Sequence, residues 1–96
     1  MLVLVTYDVA ASSAEGRKRL RRIAQACEDY GQRVQYSVFE CKLGERDWVR
    51  LRARLLGEMD GSEDSLRFYF LDERAEQRTE HHGVRKPVDF DGPLVL

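Results

Sequence analysis

Met1-Leu2-Val3-Leu4-Val5-Thr6-Tyr7-Asp8 opens the chain. Valine and leucine fill this run, and no polar residue interrupts it before Thr6. A strand with both faces covered reads this way. Asp8 closes the run, where a loop should meet solvent while the backbone is still held by the sheet. Two readings of Asp8 stand at this point. It can be a turn former or helix-capping acid. It can also be a ligand for a hard cation, since carboxylate oxygen suits Mg²⁺ or Mn²⁺.

Working outward, residues 10–14 make a short connection in which Ser12 or Ser13 can cap a helix. Leu20, Ile23, Ala24 and Cys27 then recur at three and four residues, so one apolar stripe faces a core. Gly31 is placed to end that helix. Arg33 to Cys41 alternates, with Val34, Tyr36 and Val38 on one side and Gln35, Ser37, Phe39 and Cys41 on the other. Asp47 to Met59 reads as a second amphipathic helix, and Trp48 reads as its core anchor. Ser65 to Leu71 is a further strand, with Leu66, Phe68 and Phe70 on one face. Another strand is expected near Arg78 to Val88, where Pro87 confines it to an edge or bulge.

The expected architecture is an α+β sandwich of βαββαβ type, with two helices on one face of a sheet. The other sheet face needs a cover, and a two-fold dimer with facing sheets would supply it. One domain spans residues 1–96, with 1–78 as its core and 79–96 as an extension for dimer or partner contacts. Leu94, Val95 and Leu96 are poor candidates for open water. They are expected to add to a sheet edge, the chain's own or a partner's.

With 96 residues, the chain lies near the lower end of what sustains a core alone. Its 43% hydrophobic content marks it as globular. The net charge of -1 argues against wholesale coating of nucleic acid, yet the charges cluster. Arg17, Lys18, Arg19, Arg21, Arg22 and Arg33 are opposed in their span only by Glu28 and Asp29. Arg46, Arg50, Arg52 and Arg54 follow in the second helix. Guanidinium forks suit bidentate phosphate contacts, whereas the plain alternative is a set of solvated helix faces.

Cys27 and Cys41 lack ligand spacing and read as small hydrophobes in a reducing compartment. No signal peptide or membrane span is expected, which points to the cytoplasm. His81 and His82 are adjacent, with nothing near them to complete a zinc set. No glycine-rich phosphate cradle occurs, so a nucleotide cofactor is not expected.

Several of these residues carry a resemblance. Tyr7-Asp8 closes the first strand, and Arg17 and Arg21 lie in the first helix. The run Tyr30-Gly31-Gln32-Arg33-Val34-Gln35-Tyr36-Ser37-Val38-Phe39-Glu40 follows. Together they resemble the CRISPR-associated protein 2 family, small ferredoxin-like endoribonucleases of the CRISPR adaptation machinery. The match is strong over residues 1–41, holds in pattern over 42–72 and is loose beyond Asp72.

The resemblance implies a ferredoxin-like fold with an antiparallel sheet, a short C-terminal strand and a homodimer. It implies that Asp8 is catalytic and that both subunits contribute it to one Mg²⁺ (or Mn²⁺). It places Arg17, Arg33 and Phe39 at or near nucleic-acid contacts, with Arg21 and Ser37 beside them. The implied activity is hydrolysis of single-stranded RNA or duplex DNA, and the implied partner is a CRISPR-associated integrase in spacer acquisition. The alternative role is a non-catalytic dimeric scaffold that binds duplex DNA and bridges integrase dimers.

Overall fold

Leu2–Asp8 forms β1, Ala14–Tyr30 α1, Gln32–Gln35 β2, Val38–Lys42 β3, Glu45–Glu58 α2 and Ser65–Leu71 β4 in the computed structural model. Residues 1–72 and 74–84 are described. The four strands make one antiparallel sheet in the order β2-β3-β1-β4. This is the ferredoxin-like α+β arrangement, with both helices packed on one side of the sheet.

The central position of β1 follows from its composition. Val3, Val5 and Tyr7 point toward the helices and are buried, while Leu2, Leu4 and Thr6 alternate onto the other face. The buried set meets Phe39 and Cys41 of β3 in register, Val5 against Phe39 and Val3 against Cys41. Ile23, Ala26 and Cys27 of α1 close over it, with Trp48, Leu51 and Leu55 of α2. Trp48 meets Phe68 and Phe70 edge-on, at 4.9 and 5.4 Å. Both cysteines are free and buried. Burial pushes the Cys27 thiol up to about 12 and the Cys41 thiol up to about 11. Both therefore stay protonated and unreactive at neutral pH.

Two expectations need correction. The run from Arg33 to Cys41 is two strands, because Tyr36 and Ser37 form a tight turn between β2 and β3. Tyr36 therefore does not share a strand face with Val34 and Val38. Residues 79–84 form no strand, and Arg78 ends a turn of 3-10 helix, Glu76–Arg78. The rest of the expected strand, and Leu94, Val95 and Leu96, lie outside the described residues. Gly31 does end α1, but in extended geometry. Its backbone is not left-handed. Glycine is needed there because a Cβ would stand 2.5 Å from the Glu40 carbonyl oxygen and the Cys41 sulfur.

Candidate nucleic-acid interface and acidic site

Asp8 ends β1 opposite Ser65 of β4. Beyond it the chain must leave the sheet and enter α1, and a distant carboxylate holds that turn. The buried Asp64 side chain accepts hydrogen bonds from the Ala10 N–H at 3.1 Å and the Asp60 N–H at 2.9 Å. Arg19 donates to it from Nε at 2.8 Å. On the other side, the first turn of α1 closes on the Ala10 carbonyl. A Cβ at Gly16 would stand 1.9 Å from that oxygen. Ser13 caps the helix by accepting from the Gly16 N–H at 3.0 Å. The segment after Asp8 is thus clamped, while the Asp8 side chain is exposed with no hydrogen bond or ion pair among the described residues.

The clamp has a pH signature. The Arg19 hydrogen bonds, backed by the two N–H donors and opposed by burial, hold the Asp64 carboxyl below its ordinary range. A depressed folded-state value gives stability that is present above the unfolded value, ~3.9, and lost as pH falls through the folded one. Wild-type melting temperature should therefore fall steeply below pH ~4. Asp64→Asn should melt lower at neutral pH and converge on the wild type in acid. A gap between the two that stayed constant with pH would mean that the Asp64 charge does not hold the loop.

The arginine cluster divides in two. Arg19 is bound to Asp64 and Glu63, and Arg22 lies 3.7 Å from Glu58. Arg33 pairs with Glu28 at 3.5 Å, and Arg54 with Asp29 at 2.7 Å. These four serve the fold at least in part. Arg17, Lys18 and Arg21 are exposed and have no ion pair among the described residues. Among the described residues the Arg17 side chain donates only to the Ser12 carbonyl, at 3.4 Å. The solvent side of α1 therefore keeps a net positive field near Asp8.

Of the residues singled out in the sequence, Asp8, Arg21, Arg33 and Ser37 line one groove of about 420 Å³ between α1 and the β2–β3 turn. Arg17 lies outside its lining. Phe39 differs from expectation more sharply. Its ring is fully buried, stacks on Tyr7 with centroids 6.1 Å apart and lies 4.9 Å beneath the Arg33 guanidinium. Within one chain it reaches a ligand only through what it supports. Tyr36, which the alternation places on a strand face, instead stands on the groove rim with 76% of its surface exposed. A hairpin reading of this run would have been needed to find it.

Residues 1–79 match the sequence profile of the family described as "CRISPR associated protein Cas2". The chain belongs to the Cas2 family. It is 57% identical, over all 96 residues and the full length of both chains, to a "CRISPR-associated endoribonuclease Cas2" from Chlorobaculum tepidum. A protein of the same description from Nitratidesulfovibrio vulgaris is 53% identical over 96 residues, which is all of this chain and 94% of the other. The crystal structure of Streptococcus pyogenes Cas2 superposes with a TM-score of 0.77 at 49% identity, covering 86% of this chain and all of that one.

As a Cas2 chain, this one offers a thin donor set for a metal. No group of three His, Cys, Asp or Glu side chains able to hold an ion occurs among the described residues. Mg²⁺ keeps several waters, however, and commonly takes only one or two protein carboxylates. An exposed carboxylate with no hydrogen bond or ion pair among the described residues, on a fixed strand end, fits half of such a site. No helix among the described residues is long and apolar enough to cross a membrane.

Proposed function

We propose that this Cas2 chain acts in CRISPR adaptation as a two-fold dimer that binds nucleic acid by its phosphates and hydrolyses phosphodiester bonds at Asp8. The observation that carries this reading is the convergence of Asp8, Arg21, Arg33 and Ser37 on one groove, with Asp8 making no hydrogen bond or ion pair among the described residues. The dimer is supported by the helix-free sheet face. Leu2, Leu4 and Val38 are only half-buried there, and Tyr69 and Leu71 are exposed beside them. Strand alternation puts Asp8 on that same face, so a facing copy would bring two carboxylates together. Such a pair repels unless a cation or proton lies between them.

Mg²⁺ or Mn²⁺, when bound between the two Asp8 side chains, would supply positive charge against the scissile phosphate and a lowered pKa for water. Arg21 and Arg33 hold phosphate oxygens. Ser37 offers a hydroxyl that can donate to one of them. The "endoribonuclease" of the relatives' descriptions favours RNA as substrate. An integrase partner rests on the family role, with residues 79–96 as its suggested docking segment. A monomer of 11.2 kDa in sedimentation at low micromolar concentration would remove the dimer.

A second reading has its own support. One such carboxylate per chain, against three cations on α1 that have no ion pair among the described residues, equally suits a scaffold that binds duplex DNA and bridges integrase dimers without cutting. Both readings make the same demand on binding. Affinity should fall steeply with salt, because each neutralised phosphate releases counterions. Replacing Arg17 and Arg21 together with Ala should lower affinity and flatten the slope of log K against log salt by up to ~2 per chain. Filter binding across a salt series measures this. An unchanged slope would place the nucleic acid on another surface.

A further inference from the structure

The arginines of α2 take no part in the groove beside Asp8. Arg54 is spent on Asp29 of α1. Arg46, Arg50 and Arg52 are exposed and make no ion pair among the described residues. The same helix turns Trp48, Leu51 and Leu55 to the core, yet it leaves apolar residues in water. Val49 is 64% exposed and Leu56 41%, with exposed Ala53 between them. Positions 49, 53 and 56 share one helix face, so they form a stripe. At 3.6 residues per turn, Arg52 falls on one flank of this stripe, and Arg46 and Arg50 fall on the other. Arg54 lies on the opposite flank, so the stripe faces away from α1. Gly57 follows in the last turn, where a Cβ would meet nothing within 4 Å. The acids Glu45 and Asp47 are confined to the first turn, where they complement the positive end of the helix dipole.

We propose that this face of α2 docks an acidic amphipathic helix of another protein. Val49, Ala53 and Leu56 would meet an apolar seam on that helix. Arg52 on one side, and Arg46 and Arg50 on the other, would pair with carboxylates that flank the seam. Charged residues beside an apolar seam set partner choice in this way when helices pack in pairs. Guanidinium forks suit carboxylates as well as they suit phosphates, so the apolar residues decide between the two. A phosphate backbone offers nothing to Val49 and Leu56. The contrast with α1 is direct: its exposed cations, Arg17, Lys18 and Arg21, have no exposed large apolar side chain beside them on that helix. One arginine cluster is thus purely cationic, and the other is cationic around an apolar stripe. A bilayer surface fits less well, because helices that lie in membranes sink Trp, Phe and Leu into the lipid. Here Trp48, Leu51 and Leu55 are buried in the core. Docking on α2 uses none of the groove residues, so it holds whether or not the chain cuts nucleic acid.

The probe is a fluorescent synthetic helix with a leucine seam flanked by glutamates, and its control carries lysines in place of the glutamates. Anisotropy titrations use the full chain. It should bind the acidic helix and reject the basic one. Val49→Ser with Leu56→Ser should weaken the acidic helix by roughly 5- to 30-fold, the effect of losing apolar contacts at the centre of an interface. The same pair should change affinity for duplex DNA by less than about twofold, since no cation is removed. Arg17→Ala with Arg21→Ala should do the reverse, weakening DNA and sparing the helix. Arg46→Glu with Arg50→Glu should invert the preference toward the basic helix. The melting temperature of the Val49 and Leu56 pair should match that of the unmutated chain, because both side chains are exposed, and this separates a lost contact from a lost fold. An acidic helix that does not bind, or that binds undiminished after these α2 replacements, would overturn the docking face. Equal losses for DNA would give α2 to the nucleic-acid surface instead. Binding to phosphatidylglycerol vesicles that needs Val49 and Leu56, with no binding of the helix, would make the occupant a lipid surface and overturn the proposal as well.

Discussion

Asp8→Asn should leave a folded dimer that binds nucleic acid as well as the unmutated chain and cuts it at least on the order of 100-fold more slowly. The substitution keeps the shape of the side chain and removes its charge. The fold has little reason to respond, because Asp8 is exposed and has no hydrogen bond or ion pair among the described residues. The loop beyond it is held by Asp64, Arg19 and the close approach of Gly16 to Ala10, none of which is changed. Binding should persist or tighten slightly, since a negative charge leaves a groove that carries two arginines. Chemistry should suffer, because Asp8 is the one carboxylate among the described residues that line the groove, able to hold a divalent cation or take a proton. The assay is cleavage of labelled RNA and duplex DNA with Mg²⁺ and with chelator, alongside binding of the same substrates. Undiminished cleavage by the variant would exclude Asp8 from the reaction. A wild type that binds and cuts nothing would give the chain to the scaffold role.

How much of this was legible before the structure depends on the kind of signal. β1 announces itself because five consecutive apolar residues, Met1 to Val5, carry one message, and the two helices do so because Leu20, Ile23 and Cys27, then Trp48, Leu51 and Leu55, repeat at helical spacing. The β2–β3 hairpin was hidden. Such turns are usually marked by Asn-Gly or a similar pair that tolerates positive φ. Here the turn is Tyr36-Ser37, and among the described residues none other than glycine adopts positive φ. The irregular register between Arg33 and Gln35 absorbs the mismatch instead. A run that alternates across a hairpin looks like one strand, and so the exposed ring was assigned to a sheet face. Charge pairing was equally illegible. Arg19 and Asp64 are 45 residues apart in sequence, and only the fold shows that this arginine is spent on a loop while Arg17 and Arg21 are not.

The same distinction between contact and support decides what Phe39 does. The family resemblance implies a nucleic-acid contact, but its ring has no exposed surface. It lies between Tyr7 and the Arg33 guanidinium, in register with Val5 at the centre of the sheet. Truncating a buried phenylalanine to Ala costs about 3–5 kcal/mol, from lost burial and the cavity left behind. Domains of this size hold about 5–15 kcal/mol in total. Each kcal/mol is worth ~4–8 °C, so Phe39→Ala should melt roughly 12–40 °C lower, and at the upper end of that range would be unfolded at room temperature. Its loss of binding or cleavage would then report on folding. Phe39→Leu is the informative partner. It refills most of the volume at a cost below about 1.5 kcal/mol, yet it removes the ring under Arg33 and with it a cation–π contact worth ~0.5–1 kcal/mol. Calorimetry should find it folded, and phosphate binding should weaken only a few-fold, as Arg33 loses its support. If instead Phe39→Ala melted like the wild type and still lost its nucleic acid, the ring would have to leave the core to meet the ligand. The buried position seen here would then be only one of its two states.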